Sequence, residues 1–302
     1  MREMYRFLRK AASSEALLCI HGESGTGKEL VAEAVHRYSA HRNAPFEAIN
    51  CAAIPAELVE SELFGHEKGS FSGAVAEHTG VFERVGTGTL LLDEITEMPH
   101  AMQVKLLRVL ESGRFRRVGG EIDHKYEARV IAATNRDPLV AVRQGKLRED
   151  LFYRISQLEV RVPPLRERSQ DIVELSRLFV AQFDEENDRR LSLTPQAEKA
   201  LMSYGWPGNV RQLWNVIQKA CTTSREKIAI KDLPLEQPIS GDKVADENFI
   251  TLQINKPIHE SEEAIIMACL ESNSGNKALT ASLLGISLRT LYSRLNKYRH
   301  HS

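Results

Sequence analysis

Along the chain, short apolar runs that stop at polar or glycine residues alternate with stretches of helical spacing. "ALLCIHG" (16–22) is an apolar run closed by Gly22, the pattern of a buried strand. "KELVAEAVHRYS" (28–39) spaces its apolar residues three and four apart and predicts a helix, and residues 2–12 read as the end of an amphipathic one. "GTLLLDEI" (88–95) and "ARVIAATN" (128–135) repeat the strand pattern and end in polar residues, while "AMQVKLLRVLES" (101–112) repeats the helical one. Strands alternating with helices predict an α/β fold, a parallel sheet flanked by helices, with ligands at the carboxyl ends of the strands.

After "RVPPLRER" (161–168) strand signals nearly cease. "QDIVELSRLFVAQFDEEN" and "TPQAEKALMSYGW" read as helices, the second with Thr194 as N-cap and Pro195 in its first turn. The expected organisation is an α/β subdomain over 1–164, an α-helical lid over 165–232, a linker over 233–257 and a small all-α unit over 258–302. Pro234, Pro238, Gly241 and Pro257 among acidic residues mark the linker.

Composition adds one asymmetry. The 302 residues are 42% apolar and 27% charged, with a formal net charge of −1. From Asn276 onward, however, there is no Asp or Glu, whereas 231–263 carries eight acids against three lysines. An acidic linker leading into a basic unit suits a nucleic-acid partner. Cys19, Cys51, Cys221 and Cys269 lack paired spacing, which argues against a disulfide framework or zinc site. No run of 18 apolar residues occurs and the first residues are not a signal peptide, so a soluble cytoplasmic protein with no membrane partner is expected.

The chemistry begins with "GESGTGKE" (22–29), between a strand and a helix, the setting a phosphate loop requires. Gly22, Glu23, Ser24, Gly25, Thr26 and Gly27 offer backbone N–H groups to phosphate oxygens, and Lys28 reaches the β- and γ-phosphates. Glu29 stands where a hydroxyl ligand to Mg²⁺ usually follows the lysine. "LLLDEI" then ends a strand with Asp93, placed to hold Mg²⁺ or its waters, and Glu94, placed to deprotonate an attacking water. The pair of motifs reads as a nucleotide hydrolase using ATP and Mg²⁺. No Gly-x-Ser-x-Gly elbow is completed at Ser24 or Ser72, and no His/Glu helix pattern offers a metalloprotease site.

Together with "NCAAIPAELVESELFGHEKGSFSGA", "REDLFYRI", "PPLRERSQDI" and "WPGNVRQLWN", these blocks make the chain resemble the AAA+ activators that work on sigma-54 RNA polymerase, the bacterial enhancer-binding proteins. In that family Glu after the phosphate-loop Lys is normal. The resemblance implies a homo-oligomer, from dimer to hexameric ring, with ATP between subunits. It makes Asn50 the residue that holds Glu94, Asn135 the sensor near the γ-phosphate, and Arg148 and Arg154 the fingers reaching a neighbour's nucleotide. Arg211 in "GNVRQL" matches the lid's sensor arginine, with Gln212 in place of the usual Glu. "GSFSGA", Gly69, Ser70, Phe71, Ser72, Gly73 and Ala74, aligns with the family's GAFTGA loop that touches sigma-54, with Ser70 for Ala and Ser72 for Thr. A hairpin whose Phe71 packs on its own domain is the plainer alternative.

"NKALTASLLGISLRTLYSRLNKYR" (276–299) has helix-turn-helix spacing, with Gly285 at the turn and Ser287 capping the next helix, and resembles the Fis-type domain ending most family members. Ser287, Arg289, Thr290, Tyr292, Ser293, Arg294 and Lys297 are the candidate contacts to double-stranded DNA, and dimerisation through the helix before them implies a palindromic enhancer site. Only 21 residues precede the phosphate loop, where relatives often carry a sensory domain, so either a fragment of a longer regulator or a short protein controlled by a partner is expected. Three functional readings stand: a DNA-tethered remodeller of sigma-54 polymerase, a DNA-binding regulator with an inactive ATPase, and an AAA+ motor with another client.

Overall fold

The computed structural model describes residues 2–235, 258–273 and 275–299. The chain divides into two compact units, 1–235 and 236–302. In the first, five strands form one parallel sheet: β1 (Leu18–His21), β2 (Phe46–Asn50), β3 (Thr89–Asp93), β4 (Arg129–Thr134) and β5 (Leu158–Arg161), in the order β2-β3-β4-β1-β5. Register brings the polar ends level, His21 beside Thr134 and Asn50 beside Asp93.

The central strands β1, β3 and β4 are mostly apolar because both faces are covered, whereas the edge strands β2 and β5 carry exposed polar residues. Leu90, Leu92, Val130 and Ala132 pack with Leu63, Phe82, Leu106 and Leu151 on one face. Leu91, Ile131 and Ala133, one residue out of phase, pack with Leu8, Ala12, Ala32 and Val35 on the other. The helices supplying these side chains include α1 (Arg2–Ala12), α2 (Lys28–Arg37), α3 (Val59–Phe64), α4 (His100–Ser112) and α5 (Glu149–Ile155).

The lid is built on α6 (Ser169–Asn187), α7 (Pro195–Ser203) and α8 (Asn209–Thr223) around the fully buried Trp206. Thr194 accepts from the Ala197 N–H at 3.3 Å and Pro195 opens α7. Absent from the sequence reading is a two-residue parallel pair, Ser192–Leu193 beside Lys227–Ile228, that ties the two ends of the lid together. The lid and the sheet fall in one compact unit, for reasons found at the phosphate loop. The linker expected over 233–257 lies outside the described residues after Leu235.

The C-terminal unit contains α9 (Ile258–Ser272), α10 (Lys277–Leu283) and α11 (Leu288–Arg299), with Ile266, Ala281 and Leu291 buried at its centre. No helix among the described residues is long and apolar enough to cross a membrane. Leu91 has no exposed surface, so Leu91→Ala is expected to lower the unfolding free energy by about 2–5 kcal/mol, read from a shifted denaturant midpoint.

Candidate functional site

The carboxyl ends of β1, β2 and β3 open into a cavity of about 420 Å³, within the ordinary range for small-molecule sites. Ser24, Gly25, Gly27, Lys28, Glu29, Asn50, Asp93, Glu94 and Arg211 line it, joined by Leu30, Phe179, Val210 and Trp214. Lys28 opens α2, preceded by Gly27 in the left-handed region at φ 94°. Its ammonium donates to the Gly22 carbonyl at 2.9 Å and lies 4.0 Å from a Glu94 oxygen. Burial pulls the Lys28 pKa down, Glu94 and Asp93 pull it back up, and Arg211 adds to the lowering. A half-desolvated cation ringed by carbonyls is a site suited to polyanionic oxygens.

Glu94 sits at φ 52°, a left-handed conformation costly for a residue of its kind. The twist presents its carboxylate to the Asn135 backbone N–H, which donates to it at 3.0 Å. Asn50 does not hold Glu94 here. Its side-chain carbonyl accepts from the Ala52 N–H at 2.9 Å, closing its own turn. Asp93 accepts from the Glu94 N–H at 3.0 Å and faces the cavity. Hard carboxylate oxygens at Asp93 and Glu94 suit Mg²⁺, and among the described residues there is no cluster of three or more His, Cys, Asp or Glu that could hold a metal by itself. That fits an ion sharing its coordination with phosphates and water. The neighbouring Cys51 thiol is pushed up to about 12, first by burial and then by Asp93, so it is chemically quiet.

Other candidates fall outside the cavity lining. The Glu23 carboxylate turns away to the lid, accepting from Arg166 at 2.5 and 2.8 Å and from Asn209 at 3.1 Å. The Thr26 hydroxyl donates to the Glu23 carbonyl at 2.8 Å. Gly22 contributes its carbonyl to Lys28. Arg148 is exposed and paired with Asp150 at 2.8 Å, beside a surface cavity with His100 and Tyr153. Arg154 donates to the Leu110 carbonyl at 2.5 Å. Neither arginine approaches this chain's own cavity lining.

Sequence reasoning missed the lid's grip on the phosphate loop. Val210 and Arg211, at the start of α8, donate their N–H groups to the Gly25 carbonyl at 2.9 and 3.3 Å, and Arg168 donates to the Thr26 carbonyl at 2.9 Å. A Cβ on Gly25, at φ 75°, would lie 2.5 Å from the Gly208 carbonyl. The only advance signal was basic and amide residues in "LRER" and "GNVR".

The 69–74 loop is the tip of a short hairpin in which His66 bridges His78. Gly69 donates to the Ala74 carbonyl at 2.8 Å, closing the tip. Phe71 is 39% exposed, its other side edge-on to the His66 ring at 4.9 Å, so it both packs on its own domain and faces solvent. A second hairpin supports the first: Glu67 donates its N–H to Val118, and Arg117 binds Glu83 at 2.8 Å, Glu67 at 3.3 Å and Glu77 at 3.5 Å.

In the C-terminal unit, Ser287 accepts from the Thr290 N–H at 3.1 Å and caps α11. Arg289, Tyr292 and Ser293 are exposed, Thr290 is half-buried, and the Tyr292 ring lies 4.9 Å from the Lys277 ammonium. Arg294 is ion-paired with Glu262 of α9, so its first partner is within the unit. The side chain of Lys297 lies outside the described residues.

A phosphate loop, a strand ending in paired acids and a helical lid define an AAA+ ATPase module, here followed by a helix-turn-helix unit. The chain belongs to the Sigma-54 interaction domain family, whose profile matches residues 1–161. An AAA+ ATPase lid domain matches 166–247 and the Fis family of bacterial regulatory proteins matches 257–298. The chain is 45% identical to the regulatory protein AtoC of Escherichia coli K12 over 99% of its own length and 66% of AtoC. It is 42% identical to the nitrogen fixation protein AnfA of Azotobacter vinelandii, over 99% of this chain and 56% of AnfA, and 40% identical to NtrC of Rhizobium meliloti, over 98% and 68%. The chain thus spans little more than half to two thirds of these relatives. Crystal structures of NtrX from Brucella abortus superpose with TM-scores of 0.73 and, in the complex with ATP, 0.70, at 31% and 32% identity, each over 98% of this chain and 67% of NtrX.

The Arg117 guanidinium holds the Glu83 carboxyl below its ordinary value of 4.5. A carboxyl depressed in the folded state adds stability that is present above the unfolded value and lost as pH falls through the folded one. Arg117→Met is therefore expected to lower the melting temperature near neutral pH, with the difference from wild type shrinking once melts are run well below pH 4.5. A difference independent of pH would place the effect in packing instead.

Proposed function

We propose that this chain hydrolyses ATP at the Lys28 cavity and uses the cycle to remodel sigma-54 RNA polymerase through the 69–74 loop while its C-terminal unit holds DNA. The observation that carries the reading is Glu94, fixed by the Asn135 N–H with one oxygen near Lys28 and the other acids alongside. In this reading the phosphate-loop N–H groups and Lys28 bind the phosphates, and Glu94 accepts the proton of the attacking water. Asp93, with Glu94 nearby, would hold Mg²⁺, which supplies neutralisation of phosphate charge when bound. The Asn135 N–H hydrogen-bonds the same carboxylate and so orients it. Asn50, at the level of Asp93 in the sheet, is available to meet a shifted Glu94 once nucleotide is bound.

Arg148 and Arg154, which do not line this chain's own cavity, act in this reading on a neighbouring subunit's nucleotide in a homo-oligomeric ring. Phe71 is the contact to sigma-54, partly exposed at a loop tip. Ser287, Arg289, Thr290, Tyr292 and Ser293 form the DNA face, Lys297 and Arg294 adding positive charge, and the target is a palindromic enhancer site. The alternative of an AAA+ motor with another client is served by the same loop, and Ser72 in place of Thr is the observation that keeps it in play.

Open-complex formation by sigma-54 polymerase on a test promoter, with ATP, decides between these readings. Phe71→Ala is expected to hydrolyse ATP at the wild-type rate and open no promoter; wild type that hydrolyses ATP without opening the promoter would move the function to another client. Glu94→Gln is expected to keep ATP binding and lose turnover by about 100-fold or more. On DNA, Arg289→Ala is expected to weaken the shift of a palindromic duplex and reduce its salt dependence by about one counterion. Arg294→Ala should act less, because that side chain is already paired with Glu262. An unchanged shift with both substituted would remove the DNA-binding assignment.

A further inference from the structure

Among the described residues, Asn209 is a fully buried side chain outside the cavity lining that makes three hydrogen bonds. It has no exposed surface, and all of its amide is used. Its carbonyl accepts from the Leu165 N–H at 2.8 Å, and its NH₂ donates to the Glu23 carboxylate at 3.1 Å and to the Ser24 carbonyl at 3.0 Å. One side chain thus joins the entry of the lid, the first turn of α8 and the phosphate loop. The backbone at Asn209 is left-handed, φ 49°, a conformation that asparagine tolerates better than most residues. The position therefore asks for two things at once: a residue that accepts this backbone, and a side chain that donates on one side and accepts on the other.

Glu23 is the matching half. Its carboxylate is not among the groups lining the cavity, although its backbone belongs to the phosphate loop. Arg166 also binds it, but that ion pair is exposed on both sides, 47% and 41%, and open to screening by salt. The Asn209 link differs in that its donor end is fully buried and uncharged. Both residues hold the Glu23 carboxyl below the ordinary glutamate value, Arg166 contributing more and Asn209 less, so the carboxylate is ionised and fully an acceptor.

We propose that Asn209 and Glu23 are a positioning pair, a link from a buried amide to a half-exposed carboxylate through which the lid sets the conformation of the phosphate loop and hence its grip on nucleotide. The proposal builds on the ATP-binding reading of the Lys28 cavity. Neither side chain is among the groups lining the nucleotide cavity. The consequence is that lid orientation and phosphate-loop geometry are one variable: tilting α8 pulls Glu23 and Ser24 directly, and the Gly25 carbonyl with them.

Reversing the polarity of the link tests it. Asn209→Asp keeps the size, the backbone tolerance and the acceptor for Leu165 but sets two carboxylates against each other. Glu23→Gln, added to it, supplies a donor across the pair, while the Ser24 carbonyl stays without its donor from position 209 in both variants. Two quantities are read on the full chain: amide hydrogen exchange of the 22–28 peptide without nucleotide, and the dissociation constant of a fluorescent ATP analogue. Asn209→Asp is expected to speed exchange in 22–28, with the core strand 89–93 unchanged, and to weaken analogue binding by about tenfold or more. The double variant should recover to within about threefold of wild type, with Glu23→Gln alone as the control for loss of the Arg166 pair. Unchanged exchange in Asn209→Asp, or a double variant no better than the single one, would overturn the pair. If exchange responds and recovers as stated but wild type binds no ATP analogue, the link stands and the functional reading above falls.

Discussion

Everything at the carboxyl edge of the sheet answers to one constraint: an ammonium group has been placed where water cannot fully solvate it. Burial alone would favour neutral Lys28, and the chain compensates with the Gly22 carbonyl and the acids at the end of β3. That compensation is partial by geometry, since the nearest carboxylate oxygen stands 4.0 Å away. A site left short of negative charge in this way is completed by phosphate oxygens, and the arrangement of the loop, the acids and the lid follows from keeping that shortfall in place. The left-handed backbone at Glu94 belongs to the same arrangement: it turns a carboxylate toward the cavity at a cost that the Asn135 N–H helps to offset.

The 69–74 loop and the lid are held to the sheet by different physics. The 69–74 loop leaves the unit through a hairpin braced by exposed and half-exposed charges around Arg117, contacts that salt and pH can loosen. The lid attaches mainly through backbone N–H groups and a buried amide, to which the exposed Arg166–Glu23 pair adds a contact that salt can weaken.

The central strands β1, β3 and β4 were legible because they are buried and stand out as apolar runs, and α2, α4, α6 and α7 because their periodicity is local; the edge strands β2 and β5, FEAIN and LEVR, carry polar residues and were not read. The motif residues Lys28, Asp93 and Glu94 were legible because their setting is local: Lys28 opens the helix after β1 and its glycine-rich loop, and Asp93 and Glu94 end and follow β3. What could not be read was pairing at a distance. Asn209 and Glu23 are 186 positions apart, and nothing in either neighbourhood announces the other. The turn of Asn50 toward Ala52 instead of Glu94, the inward pairing of Arg294 with Glu262, and the two-residue strands of the lid are likewise settled by tertiary neighbours and leave no periodic trace.

The two tryptophans of the chain occupy opposite environments. Trp206 has no exposed surface and its indole N–H is spoken for by the Leu201 carbonyl at 2.8 Å, whereas Trp214 is 46% exposed at the mouth of the cavity. The first emits from a fixed apolar interior, and the second from a place whose wetness depends on what the cavity holds. The protein therefore carries its own optical gauge: a shift in emission on filling the cavity is a signal from Trp214 against a constant background from Trp206.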